Sequence, residues 1–583
     1  MPGIGHIRVT VERDMKFLNT LSADPPKQIT DLRHLVYSSA EKFKDKPLYL
    51  YIEDGVEKKF TYTDLARDMD YLGTAFYALG IGGARVAVIG ETHPKWITTY
   101  YATVNGGGVI VPLDRELKIE SIIGFCCEAE VSAICYTGTF NKTLVGVRDK
   151  LPTVKYFIPI HPDGEEKLDC VRPYDELLEL GRKEIESGNK AFLSHKIDMN
   201  AMCAIIFTSG TTGASKGVML SQHNLTASVN AASRATKFDS KSTFVSVLPP
   251  HHTYEMTCGH LAMANIGGTV FINDSLKHTL RNFQKYAPNS LILVPLFLET
   301  MHKKIWDEIR KKNLTAKVRA AMRFSDMLLR IGIDRRREFF KSILDAFGGN
   351  LQCIICGGAP ISSHIIRDFY SFGIMVLEGY GITECSPLVS VNRADGVRLR
   401  SVGKPVDNCY VKIAKSQDSD DGTGEILVKG DNVMLGYYKN EKATAAAFTE
   451  DGWFRTGDVG YMDKDGYIYI TGRLKNVIIL SNGKNIYPEE IEEYLKPYPE
   501  IKECVVIGAP NDQGEVVITA VVYPDRDLFP GQTDDEILLA IKKIVNSVNK
   551  QLPSFKHIVN VRLRSEEFEK NTSRKILRFK VKG

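Results

Sequence analysis

No stretch of this sequence stays apolar for the ~18 residues that a bilayer span requires. Its first residues, MPGIGHIRVTVERDMKF, lack the apolar core of a signal peptide. A cytoplasmic location is expected on these grounds, with peripheral contact at a membrane left open. Disulfide spacing is missing too: the eleven cysteines are scattered without a framework, which suits a reducing compartment. A lone CxxC, Cys353–Cys356, lies in an apolar run closed by Gly357 and Gly358. A buried strand is the preferred reading there over metal or redox chemistry. Charge is nearly balanced, at +4 over 583 residues, which argues against a nucleic-acid partner. Basic residues do outnumber acidic ones three to one from Lys556 to Lys582. That stretch could hold a polyanionic ligand or be a solvated tail. Internal repeats and low-complexity linkers are also absent, so any domain boundary must be a short hinge.

The length exceeds what one hydrophobic core serves, and several subdomains are expected. Short apolar runs rich in Val and Ile, most of them ending at glycine, alternate with longer helical patterns. Examples are ARVAVIG (Ala84–Gly90), GGVIVPL (Gly107–Leu113), SAICYTG (Ser132–Gly138) and MCAIIFTSG (Met202–Gly210). Such runs read as buried parallel strands with helices between them, an α/β fold with ligand chemistry at the strand ends. The segment Met301–Gly349 combines helical apolar spacing with dense basic residues. A basic amphipathic helix can lie on a membrane surface, but a surface helix covering the protein's own core is the preferred reading. After Val397, glycine-punctuated short strands suggest a small β-rich subdomain. Past Arg473 a compact α+β segment begins, with PEEIEEYL as a helix opened by Pro488.

The chemistry begins at Phe207–Asn224, FTSGTTGASKGVMLSQHN. It fails the P-loop pattern, because Lys216 precedes Gly217 and Ser215 stands where the pattern has glycine. The residue types still suit phosphate. Gly210 and Gly213 let backbone approach an anion, Thr208, Ser209, Thr211 and Thr212 offer hydroxyls, and Lys216 adds charge. A flexible Gly/Thr turn is the bland alternative. Further along, Gly357–Pro360 (GGAP, with Gly358, Ala359 and Pro360) follows an expected strand as a platform for a flat base. EGYGITE (Glu378–Glu384) joins Gly379, Tyr380 to stack, Gly381, Thr383 to bond phosphate and Glu384 to hold Mg²⁺. WFRTGD ends in Asp458, a carboxylate suited to a ribose diol. GRLKNVIILSNGKNIYPEEIE follows, and NTSRKILR brings Lys575 near the end.

In this order the motifs resemble the adenylate-forming superfamily of acyl-CoA synthetases, adenylation domains and luciferases, from about Asp31 onward. The resemblance implies a large N-terminal domain (1–473) of parallel α/β subdomains plus a small β-rich subdomain. A small mobile α+β C-terminal domain (474–583) would follow. It further implies two half-reactions: a carboxylate attacks the α-phosphorus of Mg-ATP to give acyl-adenylate and pyrophosphate, and then a thiol, most simply CoA, displaces AMP. Lys575 and Mg²⁺, the latter held by Thr208 and Glu384, would supply positive charge. The glycine- and threonine-rich loop would hold pyrophosphate, and Arg473 would join the nucleotide ligands. Lys475 would be the pivot on which the small domain turns, with the loop around Gly483 lining the thiol's approach. The family has glycine before the catalytic lysine where this chain has Arg574, so Arg574 or Lys570 sharing the role is an alternative.

LPPHHTYEMT (Leu248–Thr257) matches the segment that ends in a gate histidine, here His252; a histidine satisfied in a turn is the other reading. Tyr254, Glu255 and the helical insert look most like the long-chain fatty acid–CoA ligase branch. A ligase for an aryl or medium-chain acid, a loader of a carrier protein, and a silent lipid-binding protein at a membrane are the alternatives. The oligomeric state stays open.

Overall fold

The computed structural model describes residues 26, 28–162, 168–208, 215–236, 238–394, 396–415, 422–480, 485–511, 515–570 and 576–581. The chain divides into two compact units. One comprises Met1–Ile361, Ile366–Tyr410 and Val428–Phe454; the other comprises Ser362–Ile365, Val411–Leu427 and Arg455–Gly583.

The first unit is built on two large sheets, and the Val/Ile runs supply their strands. In the seven-stranded sheet the order is Gly436–Tyr437, Lys216–Ser221, Met202–Thr208, Val109–Leu113, Arg85–Ile89, Ala133–Tyr136 and Tyr156–Pro159. The last five are parallel and nearly fully buried, which is why they read as continuous apolar runs. One expectation needs amending. Met202–Thr208 is not followed by a helix but returns as the antiparallel strand Lys216–Ser221, a β-hairpin whose connecting residues 209–214 lie outside the described residues. The helix Gln222–Ala235 comes only afterwards, started by Ser221 and Asn224 in a reciprocal capping box.

The nine-stranded sheet runs Lys404–Pro405, Leu388–Val391, Met375–Gly381, Cys353–Gly357, Ser290–Leu293, Thr243–Ser246, Thr269–Ile272, Pro47–Glu53 and Val56–Thr61. Its interior is parallel and its ends turn antiparallel. Cys353 and Cys356 are buried in a central strand, as the apolar run around them suggested. The basic insert forms helices Pro295–Lys311 and Thr315–Arg330 and two short helical turns. Trp306, Ile309, Phe340 and Phe372 make a small core of their own beneath it.

The second unit holds most of a four-stranded sheet (Cys409–Lys415, Gly424–Gly430, Phe454–Met462, Ile468–Arg473). It also holds the sheet Ile501–Pro510, Val516–Pro524 and Asn560–Leu563. Helices Pro488–Leu495 and Asp534–Asn549 pack on the latter around Ile491, Val506, Ile518 and Ile541. Pro488 sits at the helix start, where its missing N–H is no loss. Among the described residues no helix is long and apolar enough to cross a membrane.

Candidate adenylate-forming site

Thr208 closes one strand of the hairpin and Lys216 opens the next, paired across the ladder, with the Thr208 hydroxyl 3.4 Å from the Lys216 carbonyl oxygen. The loop residues Ser209, Gly210, Thr211, Thr212 and Gly213 lie outside the described residues. The Lys216 ammonium stands 4.6 Å from the ring centre of Tyr437, a cation–π contact. Tyr437 is carried there by the strand Gly436–Tyr437, which pairs with Lys216–Ser221. Its hydroxyl donates to Glu384 Oε1 at 2.9 Å. Burial, and then the Glu384 carboxylate, push the Tyr437 hydroxyl pKa well up, so it stays a donor. Lys216, which pairs with Thr208 across the ladder, is thus brought to Glu384 through a tyrosine that no sequence motif marked.

Glu384 lies in a 3₁₀ turn, Thr383–Cys385, directly after Met375–Gly381, and its carbonyl accepts from the Met434 amide at 2.8 Å. The turn is tight: a Cβ on Gly381 would sit 2.1 Å from the Pro387 carbonyl oxygen, so only glycine fits. The neighbouring parallel strand ends at Gly357, in register with Gly379, and Gly358 takes a positive φ of 90°. Gly358, Ala359 and Pro360 follow as an exposed edge. The two glycine motifs therefore emerge side by side from adjacent strand ends, where open α/β sheets take their ligands.

Behind them is a cavity of about 80 Å³. Gly357, Gly358 and Gly379–Gly381, including buried Tyr380, form one wall, and Ala235, Cys258, Met263 and Ile266 contribute to the others. Tyr254 also lines it, its hydroxyl donating to the Ile355 carbonyl at 3.2 Å. Tyr254 and Cys258 belong to a π-helical stretch, Tyr254–Leu261, a rare geometry frequent at functional sites. On another face of that stretch Glu255 is buried, bonded to the Ser246 hydroxyl at 2.5 Å and 3.8 Å from His260. At that distance the two could be an ion pair, yet burial holds both neutral: Glu255 is raised to about 8 and His260 lowered to about 3.

His252 precedes the stretch in a turn, its amide donating to the Pro249 carbonyl at 3.3 Å and its own carbonyl accepting from Met256. Its ring lies 4.1 Å from that of His251, which faces Asp114 at 3.7 Å. Burial, with the neighbouring His252, lowers His251 to about 3. Asp114 follows a strand of one sheet and His251 a strand of the other, so both sheets' strand ends meet at this histidine pair. Sequence reasoning passed over His251 and Asp114, for which only proximity in the fold gives a signal.

In the second unit, Asp458 and Arg473 are ladder partners joined by an ion pair of 2.7 Å, with the carboxylate buried. Lys475 lies in the turn that follows; burial first, then Arg473, lowers its pKa, while Glu489 and Asp458 oppose. Gly483 and Lys575 lie outside the described residues, as does Arg574. Lys570 is ion-paired with Glu503 and with Glu567. Arg578 is held by Glu492 and donates to the Val506 carbonyl.

Residues 36–438 match the family model described as AMP-binding enzyme, and 475–582 match that of the AMP-binding enzyme C-terminal domain. The chain belongs to the AMP-binding enzyme family. As an AMP-binding enzyme it is 26% identical over 581 residues to the long-chain-fatty-acid–CoA ligase FadD15 of Mycobacterium bovis, spanning 94% of each chain. With the long-chain-fatty-acid–CoA ligase ACSBG1 of Mus musculus it shares 31% over 469 residues, covering 74% of this chain and 63% of that one. In structure it resembles ATP-bound MatB from Rhodopseudomonas palustris, with TM-score 0.71, 24% identity, and 94% and 98% of the two chains covered. The anthranilate CoA ligase AuaEII, in complex with anthranoyl-AMP, gives TM-score 0.74 at 17% identity, covering 95% and 97%. The AMP-binding enzyme thus has the adenylate-forming fold that the ordered motifs implied.

Proposed function

We propose that this AMP-binding enzyme is an ATP-dependent acid–thiol ligase. It converts a long-chain fatty acid to acyl-AMP with release of pyrophosphate and then transfers the acyl group to CoA. The observation that carries the reading is the joining of Lys216 and Glu384 through Tyr437, with Thr208 paired to Lys216 across the ladder, beside a strand that also walls an apolar cavity. Bringing two anions together is the physical problem, and positioning plus positive charge is the remedy. Lys216, steadied over the Tyr437 ring, offers its charge to the departing pyrophosphate. Tyr437 fixes the carboxylate of Glu384.

One carboxylate and one hydroxyl, Glu384 and Thr208, both half-buried, would supply an all-oxygen donor set. That set fits a hard cation such as Mg²⁺, which keeps waters and takes other ligands from phosphate. Bound there, the cation would neutralise charge on the phosphate oxygens. Asp458 and Arg473 take the ribose side, His252 guards the acid's pocket, and the strand-end glycines give the base a flat backbone edge. Lys575 serves the first half-reaction, and Lys475 is the pivot between the halves, with the small domain beginning near 474.

The enclosed volume favours a second reading. Since about 10–15 Å³ of such space holds one water, 80 Å³ is short for a long chain unless its walls move. An aryl or medium-chain acid asks less movement of those walls. Thioester formation from ATP and CoA with palmitate, octanoate and benzoate in parallel separates the two. Faster turnover of palmitate is expected; turnover of the short acids alone would overturn the long-chain assignment. Loading of a carrier protein in place of CoA would overturn the acceptor.

A further inference from the structure

The basic insert hides one apolar face and exposes another. Inward, Val318, Ala321 and Met322 of helix Thr315–Arg330 pack on Trp306, Ile309 and Phe340. This is the core-covering role that its periodicity suggested. Outward, the same helix presents Phe324 (49% exposed), Met327 (53%) and, just past its end, Ile331 (67%). Their spacing of three and four residues sets them in one stripe. The stripe continues into Phe339, whose ring lies 5.9 Å from that of Phe324, and Ile333 nearby is also exposed.

Cations flank these groups. Lys317, Arg319, Arg323 and Arg330 share the helix with a single acidic residue, Asp326, and all four are exposed. Across 301–349 there are thirteen Lys and Arg against six Asp and Glu, in a chain whose whole net charge is only +4. Within that excess, Lys317, Arg319, Arg323 and Arg330 lie on the helix that carries the stripe, whereas Arg336 is buried against Asp334. A second copy laid on this face would oppose like charges. The groups together match the boundary between anionic headgroups and acyl chains.

We propose that the outer face of the insert docks peripherally on an anionic lipid surface, with Phe324, Met327 and Ile331 entering the acyl boundary and the flanking arginines meeting the headgroups. The proposal stands independently of the ligase reading. It does place the lipid surface at an insert whose first helix, Pro295–Lys311, leaves directly from the strand that supplies Ile292 to the cavity wall.

The test is co-sedimentation of the full chain with phosphatidylcholine vesicles, with and without roughly one-third phosphatidylglycerol. Binding to the anionic vesicles alone, weakened by salt, is expected. Two variants read the face separately: Phe324→Ser/Met327→Ser/Ile331→Ser removes the apolar stripe, and Arg319→Glu/Arg323→Glu reverses charge beside it. Each should lower partition about tenfold, while Val559→Ser, at an exposed valine in the second unit, should leave it unchanged. Absence of binding by the parent protein, or binding by either variant equal to the parent's, would overturn the proposal. So would light scattering showing a dimer that the apolar variant dissolves, because the face would then cover a second copy.

Discussion

Replacing Glu255 by glutamine should make the protein more stable in alkaline solution and change little in acid. The carboxyl is buried in the π-helical stretch, with the Ser246 hydroxyl as its hydrogen-bond partner, and burial raises its pKa from 4.5 to about 8. A raised folded-state pKa means the folded protein holds this proton more tightly than the unfolded chain does. The stabilisation is fully present below the unfolded value and is lost as pH rises through the folded one. At about 1.4 kcal/mol per unit, the span from 4.5 to about 8 amounts to about 5 kcal/mol as an upper bound. Glutamine keeps the shape and a hydrogen bond to Ser246 but cannot ionise. Other groups titrate over the same range, so the informative quantity is the difference in thermal midpoint between Glu255→Gln and parent, at one scan rate, from about pH 5 to about pH 9. That difference should grow in the variant's favour across the range. A flat difference would show that Glu255 is not held as the neutral acid, and the account of this buried carboxyl would fall.

Tyr437→Phe keeps the ring under Lys216 but removes the hydroxyl from Glu384. Loss of such a charge-assisted bond should slow adenylate formation about tenfold, read by hydroxamate trapping of the acyl-adenylate; an unchanged rate would remove Tyr437 from the site. Lys575→Ala should abolish adenylate formation while sparing thioester formation from supplied acyl-adenylate, and equal loss of both would contradict its assignment. Lys475→Pro should do the reverse, because proline fixes φ at the pivot. Normal thioester formation in that variant would refute the hinge. Ala235→Phe, which narrows the cavity, should move the acid preference to shorter chains, at about fourfold per excluded methylene, measured as kcat/KM along a series of acids.

The parallel strands were legible because burial on both faces makes them continuous Val/Ile runs, and glycine closes some of them, as Gly90 does after Arg85–Ile89 and Gly357 and Gly358 do after Cys353. Gly357–Pro360 and Gly379–Glu384 could be matched to strand ends for the same reason. The hairpin after Thr208 was not legible. Lys216–Ser221 is no shorter than most of the strands that were read, but KGVMLS holds a single valine and no isoleucine, so it makes no continuous Val/Ile run. Tyr437 escaped because its place depends on Gly436–Tyr437 pairing with Lys216–Ser221, a long-range contact without local signal. His251 and Asp114 meet only because two sheets point their strand ends at each other. Helical periodicity found the buried face of Thr315–Arg330, but amphipathic spacing does not reveal a second apolar stripe among cations.

Acid-dependent exchange of labelled pyrophosphate into ATP, measured without CoA, tests the central claim most directly, because it isolates carboxylate attack on the α-phosphorus. Exchange that requires an acid, is strongest with long-chain fatty acids and falls sharply in Lys216→Ala is the predicted result. Absence of exchange with any acid, or exchange indifferent to Lys216, would contradict it.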